Sequence, residues 1–491
     1  MLHVPHLLTA ITFTPLVAAL VVLVLPASWA RWTTAVFMVA DLCLVGVLLL
    51  TFDKTSPGMQ FIEQAPWIPS LHINYLLGVD GISVTMVALS SLLSFVVVLG
   101  SWNNQDRPKT WFIMLLLLES GMNGVFVALD FVLFYVFWEW VLIPMYFIIA
   151  WWGKENRSYV ALKFFLYMLL GSVLILLGII AMYLNPAGHT FNMMVLATRQ
   201  FPIGFQMVIF LVFYFGFAVR VPVWPFHTGH SDAHIQAPTA GSVTLAGVLL
   251  KTGTYGMLRV ALPMLPQGAH HWAWFVGMMA CFAILYGSVV SFWQPDLKKM
   301  LAYSSVGHMG FAMLGIASGT VWGLNGAMVL AFAHGLITGL LFLVVGMIYD
   351  RAHTRMAPDL TGVGKQAPVL GGMLSFAAIS SLGLPGLAGF VGEFLVLVGS
   401  WQSNLPKVYT VVAGAGMLLG AAYMLWVIYR VVYGEPTEKV KKISDATPID
   451  IATAGPLMAL TAIIGLNWGI LLSFINPTIT RLAEFLLMRS M

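Results

Sequence analysis

Phe217-Ala218-Val219-Arg220-Val221-Pro222-Val223-Trp224-Pro225 closes an apolar run that starts near residue 203. Two prolines three positions apart remove two backbone donors within about one turn, so a helix arriving here has to stop. The composition around this break decides what kind of helix it is. Of 491 residues, 60% are apolar and 9% charged, whereas soluble domains carry roughly 25% charged residues. A bilayer span needs about 20 apolar residues, and such runs recur along the whole chain. The fold class is therefore all-α, a polytopic membrane protein with one membrane domain over residues 1–491. The net charge of +4 gives no electrostatic footprint for a nucleic-acid partner. Cys43 and Cys281 lie in separate apolar runs and supply neither an iron–sulfur site nor a disulfide framework.

Pro, Gly and charge breaks divide the chain into about 14 spans, near 7–25, 33–52, 76–100, 111–129, 131–151, 160–183, 203–223, 237–262, 270–292, 300–318, 322–349, 369–399, 408–429 and 452–475. An even number puts both termini on one side. Sorting Lys and Arg by loop gives 15 in the odd-numbered loops and 5 in the even loops and termini. Cytoplasmic loops hold the excess of positive charge, so both termini are expected on the outer, periplasmic side of a bacterial inner membrane. Residues 1–6 carry no Lys or Arg, which argues against a cleavable signal peptide. Residues 476–491 alternate Leu482, Phe485 and Leu486 with Arg481, Glu484 and Arg489, the pattern of an amphipathic helix lying along the interface.

Arg220, Lys251 and Arg259 remain at membrane depth, with Glu119, Glu139 and Glu393 as the acids to match them. An ion at the bilayer centre costs about 2.5–3.5 kcal/mol, so such groups pair, face a wet cavity or take part in ion transfer. Arg259 lies near the end of its span and is expected to snorkel to the headgroups. Glu119 has a bland alternative as a helix-packing partner. Glu139, in Phe137-Trp138-Glu139-Trp140, is walled by rings and needs a cation from another helix. Burial disfavours a charged lysine, which suits Lys251 to take up and release a proton. His308 and His334 lie well inside consecutive spans and extend this line of titratable groups.

Leu384-Pro385-Gly386 interrupts the twelfth span as Pro222 and Pro225 interrupt the seventh. Matching interruptions in two halves point to a repeat-built transporter with its site at the breaks. Glu139 to His308 is 169 residues, Lys163 to His334 is 171, and Arg220 to Glu393 is 173. The expected arrangement is two inverted five-helix repeats, 111–262 and 270–433, with helices 7 and 12 broken.

The residues quoted so far resemble a known family. Phe217-Ala218-Val219-Arg220-Val221-Pro222, Pro225 with His227, Asp232-Ala233-His234, and Gln236-Ala237-Pro238-Thr239-Ala240-Gly241-Ser242-Val243 are similar to the antiporter-like subunits of respiratory complex I. Leu249-Leu250-Lys251-Thr252, Ser304-Ser305-Val306-Gly307-His308 and Gly389-Phe390-Val391-Gly392-Glu393-Phe394 continue the likeness over nearly the whole chain. Glu393, where other types carry lysine, resembles the M-type. The resemblance implies a proton-translocating, non-redox subunit in the membrane arm of an NADH:quinone oxidoreductase, with no cofactor of its own. It also implies partners among the other membrane-arm and peripheral-arm subunits. Glu139 would pair with a cation on the seventh span, Lys251 would carry the proton, His308 and His334 would extend the axis, and Glu393 would end it. Arg220 departs from the family's lysine, and arginine does not release a proton in a protein; it is expected to act as a fixed counter-charge to Glu139. Gly229-His230-Ser231 also replaces the family's Trp-Leu-Pro.

Three other functions fit parts of the sequence. His227, His230 and His234 have metal-ligand spacing, but the break at Pro225 argues against a metal site. His308 and His334 could be axial haem ligands. A multi-subunit Na+/H+ antiporter or a membrane-bound hydrogenase uses the same module. A transmembrane potential acts at about 2.3 kcal/mol per charge per 100 mV, so any pump of this kind depends on partner subunits for energy.

Overall fold

The computed structural model describes residues 5–104 and 106–490. Residues 1–4, on which part of the signal-peptide argument rests, and residue 491 at the end of the amphipathic segment lie outside the described residues. The chain runs through α1 (Leu7–Val24), α2 (Ala30–Thr51), α3 (Gly81–Gly100), α4 (Pro108–Val127), α5 (Phe131–Trp152) and α6 (Arg157–Leu184). The interrupted α7 follows as Ile203–Arg220 and Thr228–Gln236, and α8 extends from Thr239–Thr244 to Leu262–Met264. Then come α9 (Pro266–Phe292), α10 (Leu297–Ser318), α11 (Val321–Ala352), α12 in two pieces (Pro368–Ser381 and Ala388–Gln402), α13 (Lys407–Val432), α14 (Pro448–Leu466) and α15 (Gly469–Ser490). A hairpin of β1 (Gln60–Ile68) and β2 (Ile73–Val79) occupies the loop between α2 and α3. Among the described residues, 13 helices are long and apolar enough to cross a membrane.

Both interruptions fall where prolines remove donors: the chain leaves the helix between Arg220 and Thr228, and again between Ser381 and Ala388. The other span ends are set by caps. The Asp80 carboxylate accepts from the amides of Ile82 and Ser83 at 3.1 Å, and the Asp296 carboxylate accepts from that of Lys299 at 3.2 Å. Loop contacts agree on two faces. On the face of the even-numbered loops, the Leu129 amide donates to Leu76 and Asp130 bridges Asn192. On the odd face, Arg355 reaches Asp296 at 2.5 Å and Arg351 reaches Asp450 at 2.6 Å.

The last helix lies flat. Phe474 packs on Lys54, Asn476 on Asn325, Thr478 on the Gly81 amide, and Arg489 on the carbonyls of Thr198 and Arg199. All these partners end spans on the even face, so α15 runs along that face. At 22 residues it is about 33 Å long. The interfacial helix thus begins at Gly469 rather than 476, and the span before it is Pro448–Leu466 rather than 452–475.

Segments 351–367 and 435–450 clasp each other. Lys365 pairs with Glu435 at 2.8 Å and Lys439 with Asp359 at 2.8 Å. The hydrogen bond from Lys439 holds the Asp359 carboxyl below its usual 3.8. In the interior, small residues let backbones approach: a Cβ on Gly392 of α12 would stand 2.7 Å from the Leu330 backbone of α11. That approach brings the glutamate beside Gly392 against α10 and α11.

Candidate functional site

Lys251 belongs to α8, whose ladder widens into π turns at Leu245–Leu249 and Met257–Ala261. Such wide turns inside an α-helix reposition carbonyls and occur often at functional sites. Here the Ala246 carbonyl accepts a hydrogen bond from the Lys251 ammonium, five residues along. Lys251 is fully buried, and its Nζ stands 2.7 Å from Nδ1 of His334 on α11. The Thr338 hydroxyl donates to the His334 carbonyl one turn on, and His334 Nε2 has no protein partner.

The rings of His334 and His308 are 5.5 Å apart, centre to centre. His308 Nδ1 lies 3.1 Å from a carboxylate oxygen of Glu393, and its Nε2 lies 3.3 Å from the Ser381 hydroxyl at the α12 interruption. Lys251, His334, His308 and Glu393 therefore form one contiguous buried line across α8, α11, α10 and α12. A small cavity beside its far end is lined by His308, Ser381, Glu393 and Tyr423, whose hydroxyl meets Ser304 at 2.8 Å. Gly383 borders this end with φ of +80°, and a Cβ there would stand 2.7 Å from Glu393 Oε2. The substitution Gly383→Ala is expected to cost about 1–2 kcal/mol from the left-handed backbone and to push the carboxylate away from His308. A lower melting temperature of the purified protein, with a larger loss of proton transfer than of stability, would show both effects.

Arg220 ends the first part of α7 and is buried. It donates to the Trp138 carbonyl at 2.8 Å and to the Thr252 hydroxyl at 3.4 Å, and its guanidinium lies 3.9 Å from the Trp138 ring centre. This corrects the expected Glu139 partnership. Glu139 is within electrostatic reach of Arg220, but among the described ion pairs none within 4.0 Å joins them, and Glu139 Oε1 is buried without a hydrogen-bond partner. The planar guanidinium satisfies itself on a carbonyl and a ring face instead. Arg259 is corrected too: instead of snorkelling, it pairs with Asp80 at 2.5 Å and bonds Ser83 and Tyr255. Two of the 15 cations assigned to the odd-numbered loops, Lys163 and Lys298, are not loop residues. Lys163 is a residue of α6 paired with Asp232 at 2.5 Å. Lys298 is buried at the start of α10, donating to the Ala237 carbonyl at 2.7 Å.

Two residues beyond the proposed set join the site. His234 is buried, stacks on Phe342 and lies within electrostatic reach of both Lys298 and Lys251. The signal for His234 was in the quoted Asp-Ala-His run; for Lys298 it was hidden by the loop assignment. His227, His230 and His234 are buried with all ring nitrogens unpartnered, and among the described residues no group of three or more His, Cys, Asp or Glu side chains is placed to hold a metal ion. Glu119 lies apart from the line, against Asp41. At the odd-face mouth, Lys154 Nζ stands 2.9 Å from the centre of the Tyr349 ring, and burial holds this lysine below its usual 10.5.

The family described as NADH:quinone oxidoreductase/Mrp antiporter, transmembrane, matches residues 128–426, the stretch that holds the whole buried line. The chain belongs to this family. It is 44% identical to NADH-quinone oxidoreductase subunit M of Rhodobacter capsulatus over 98% of this chain and 96% of that one. It is 38% identical to F(420)H(2) dehydrogenase subunit M of Methanosarcina mazei over 87% of this chain and 88% of that one. Among solved structures, a chain of respiratory complex I from Thermus thermophilus with bound NADH superimposes with a TM-score of 0.90 at 28% identity, covering 98% of this chain and 99% of that one. As a member of the NADH:quinone oxidoreductase/Mrp family, the chain shares its all-α membrane fold with a chain of complex I.

Proposed function

We propose that the chain is the subunit M of a complex I-type NADH:quinone oxidoreductase and moves protons through the line from Lys251 to Glu393. The observation that carries this is the run of contacts itself: a buried lysine on a buried histidine, a second histidine beside it, and a buried carboxylate beyond. Neighbouring groups that each bind one proton can pass it on, and each transfer leaves its partner ready for the next. His234 and Lys298 supply the approach from the odd face. The chain works without a redox cofactor of its own, and electron transfer belongs to partner subunits of the other arm. We place it as a multi-pass protein of a bacterial inner membrane with both termini outside, from the charge bias of the loops, which stands at 13 to 5 once Lys163 and Lys298 are taken out of the 15.

The two inverted repeats, 111–262 and 270–433, belong to this proposal. One further feature supports them. The 173-residue shift that carries Arg220 onto Glu393 carries the π turn Met257–Ala261 onto 430–434, which overlaps the π turn Ile428–Val432 of α13.

Arg220 serves here as a fixed charge. Arg220→Lys exchanges it for a group able to release a proton, so the protons moved per electron in the purified complex, reconstituted in vesicles, are expected to rise. A fall would show that the contacts with Trp138 and Thr252 matter more than fixed charge. The assignment as a whole is tested by isolating the chain with its partners. Flavin and iron–sulfur subunits with NADH oxidation support complex I; nickel–iron subunits, or neither set, would contradict it.

A further inference from the structure

Away from the line, α2, α3 and α4 bury a second acidic centre. Asp41 and Glu119 lie mid-helix, 0% and 1% exposed, with their carboxyl groups against each other. No cation joins them among the described ion pairs, and as two carboxylates neither offers the other a donor. Coulomb repulsion at such contact forbids both from being ionised in a dry interior. One proton between them resolves the conflict, since it turns one acceptor into a donor. Neither carboxylate oxygen of Asp41 has a hydrogen-bond partner, and Asn123, one turn from Glu119 on α4, donates to the Ser91 hydroxyl at 3.4 Å. Asn123 is fully buried, yet its Oδ1 has no partner. Beside Glu119 a small cavity, which Ser94 of α3 also lines, reaches Thr244. Thr244 stands two residues before Ala246, the carbonyl that holds Lys251.

We propose that Asp41 and Glu119 form a proton-holding carboxyl pair that exchanges with the Lys251 centre through the cavity at Thr244. Glu119 carries the proton and donates to Asp41, which stays ionised. When the proton passes by way of water in the cavity toward Lys251, another must arrive for the pair to remain singly charged, so the pair acts as a side store refilled between transfers. The inference rests on the proton-translocating reading above.

The test uses the assembled complex in vesicles, with Glu119→Gln, Asp41→Asn and Lys251→Met variants. Infrared difference spectra should show the carbonyl stretch of a protonated carboxylic acid at neutral pH, lost in Glu119→Gln and shifted in Asp41→Asn. Proton pumping per NADH oxidised should fall roughly threefold or more in both. A wild-type spectrum with no band that Glu119→Gln removes would overturn the proposal, and so would wild-type pumping in both acid variants. A band that disappears when Na+ is added would make the pair a sodium site and also overturn it. If Glu119→Gln does not assemble, Asp41→Asn still decides: an unshifted Glu119 band means the two do not share a proton. Normal pumping by Lys251→Met would instead defeat the translocation reading itself, whereas a dead Lys251→Met beside unimpaired acid variants would defeat only the pair.

Discussion

Replacing Lys251 by methionine is expected to lower proton pumping by roughly tenfold or more, equivalent to about 1.4 kcal/mol or more on the barrier, while the complex still assembles. Methionine keeps the length and bulk of the side chain in its fully buried position. What it removes is the proton-binding atom between the Ala246 carbonyl and His334 Nδ1. Both acceptors then lose a donor, a cost of about 1–3 kcal/mol each, offset in part because a buried charge is also gone. The measurement is acidification of vesicles per NADH oxidised, with the melting temperature as control. Pumping at the wild-type ratio would show that the proton takes a route around the centre.

Glu393→Gln ranks second, with pumping expected to fall roughly fivefold. Glutamine has the same shape and retains a hydrogen bond to His308, so folding is expected to change little. It cannot take up a proton, which the proposed path requires it to receive from His308 across the 3.1 Å contact. Glu393→Asp would separate charge from reach: it restores the carboxylate but shortens it, so a partial recovery is expected. A Glu393→Gln complex that pumps normally would place the end of the path elsewhere, for instance at Ser381 and the cavity beside Tyr423.

Much of the site was legible before any fold was known, because a membrane makes polar residues conspicuous. Lys251, His334, His308 and Glu393 each stand out as a titratable group inside an apolar run, and they meet in that order. The same rule applies to Asp41, a carboxylate in the middle of α2, which the list of three buried glutamates does not include. Partner choice was not legible. Arg220 was assigned to Glu139 by charge matching, yet the guanidinium turns to the Trp138 carbonyl and ring. Arg259 was sent to the headgroups, yet Asp80, 179 residues away in the chain, holds it.

The sequence by itself determined the membrane, the spans, the charge bias between the faces and the two breaks. Each follows from local chemistry: apolar length against bilayer thickness, lysine and arginine counts in loops, and prolines that cannot donate. Tertiary structure alone decided which buried groups touch, that α15 lies flat although it is long enough to cross, and that a π turn in α8 brings Ala246 to Lys251. These depend on how each helix is rotated against neighbours far away in the chain, and that rotation is set by packing, such as Gly392 against Leu330, rather than by any local preference.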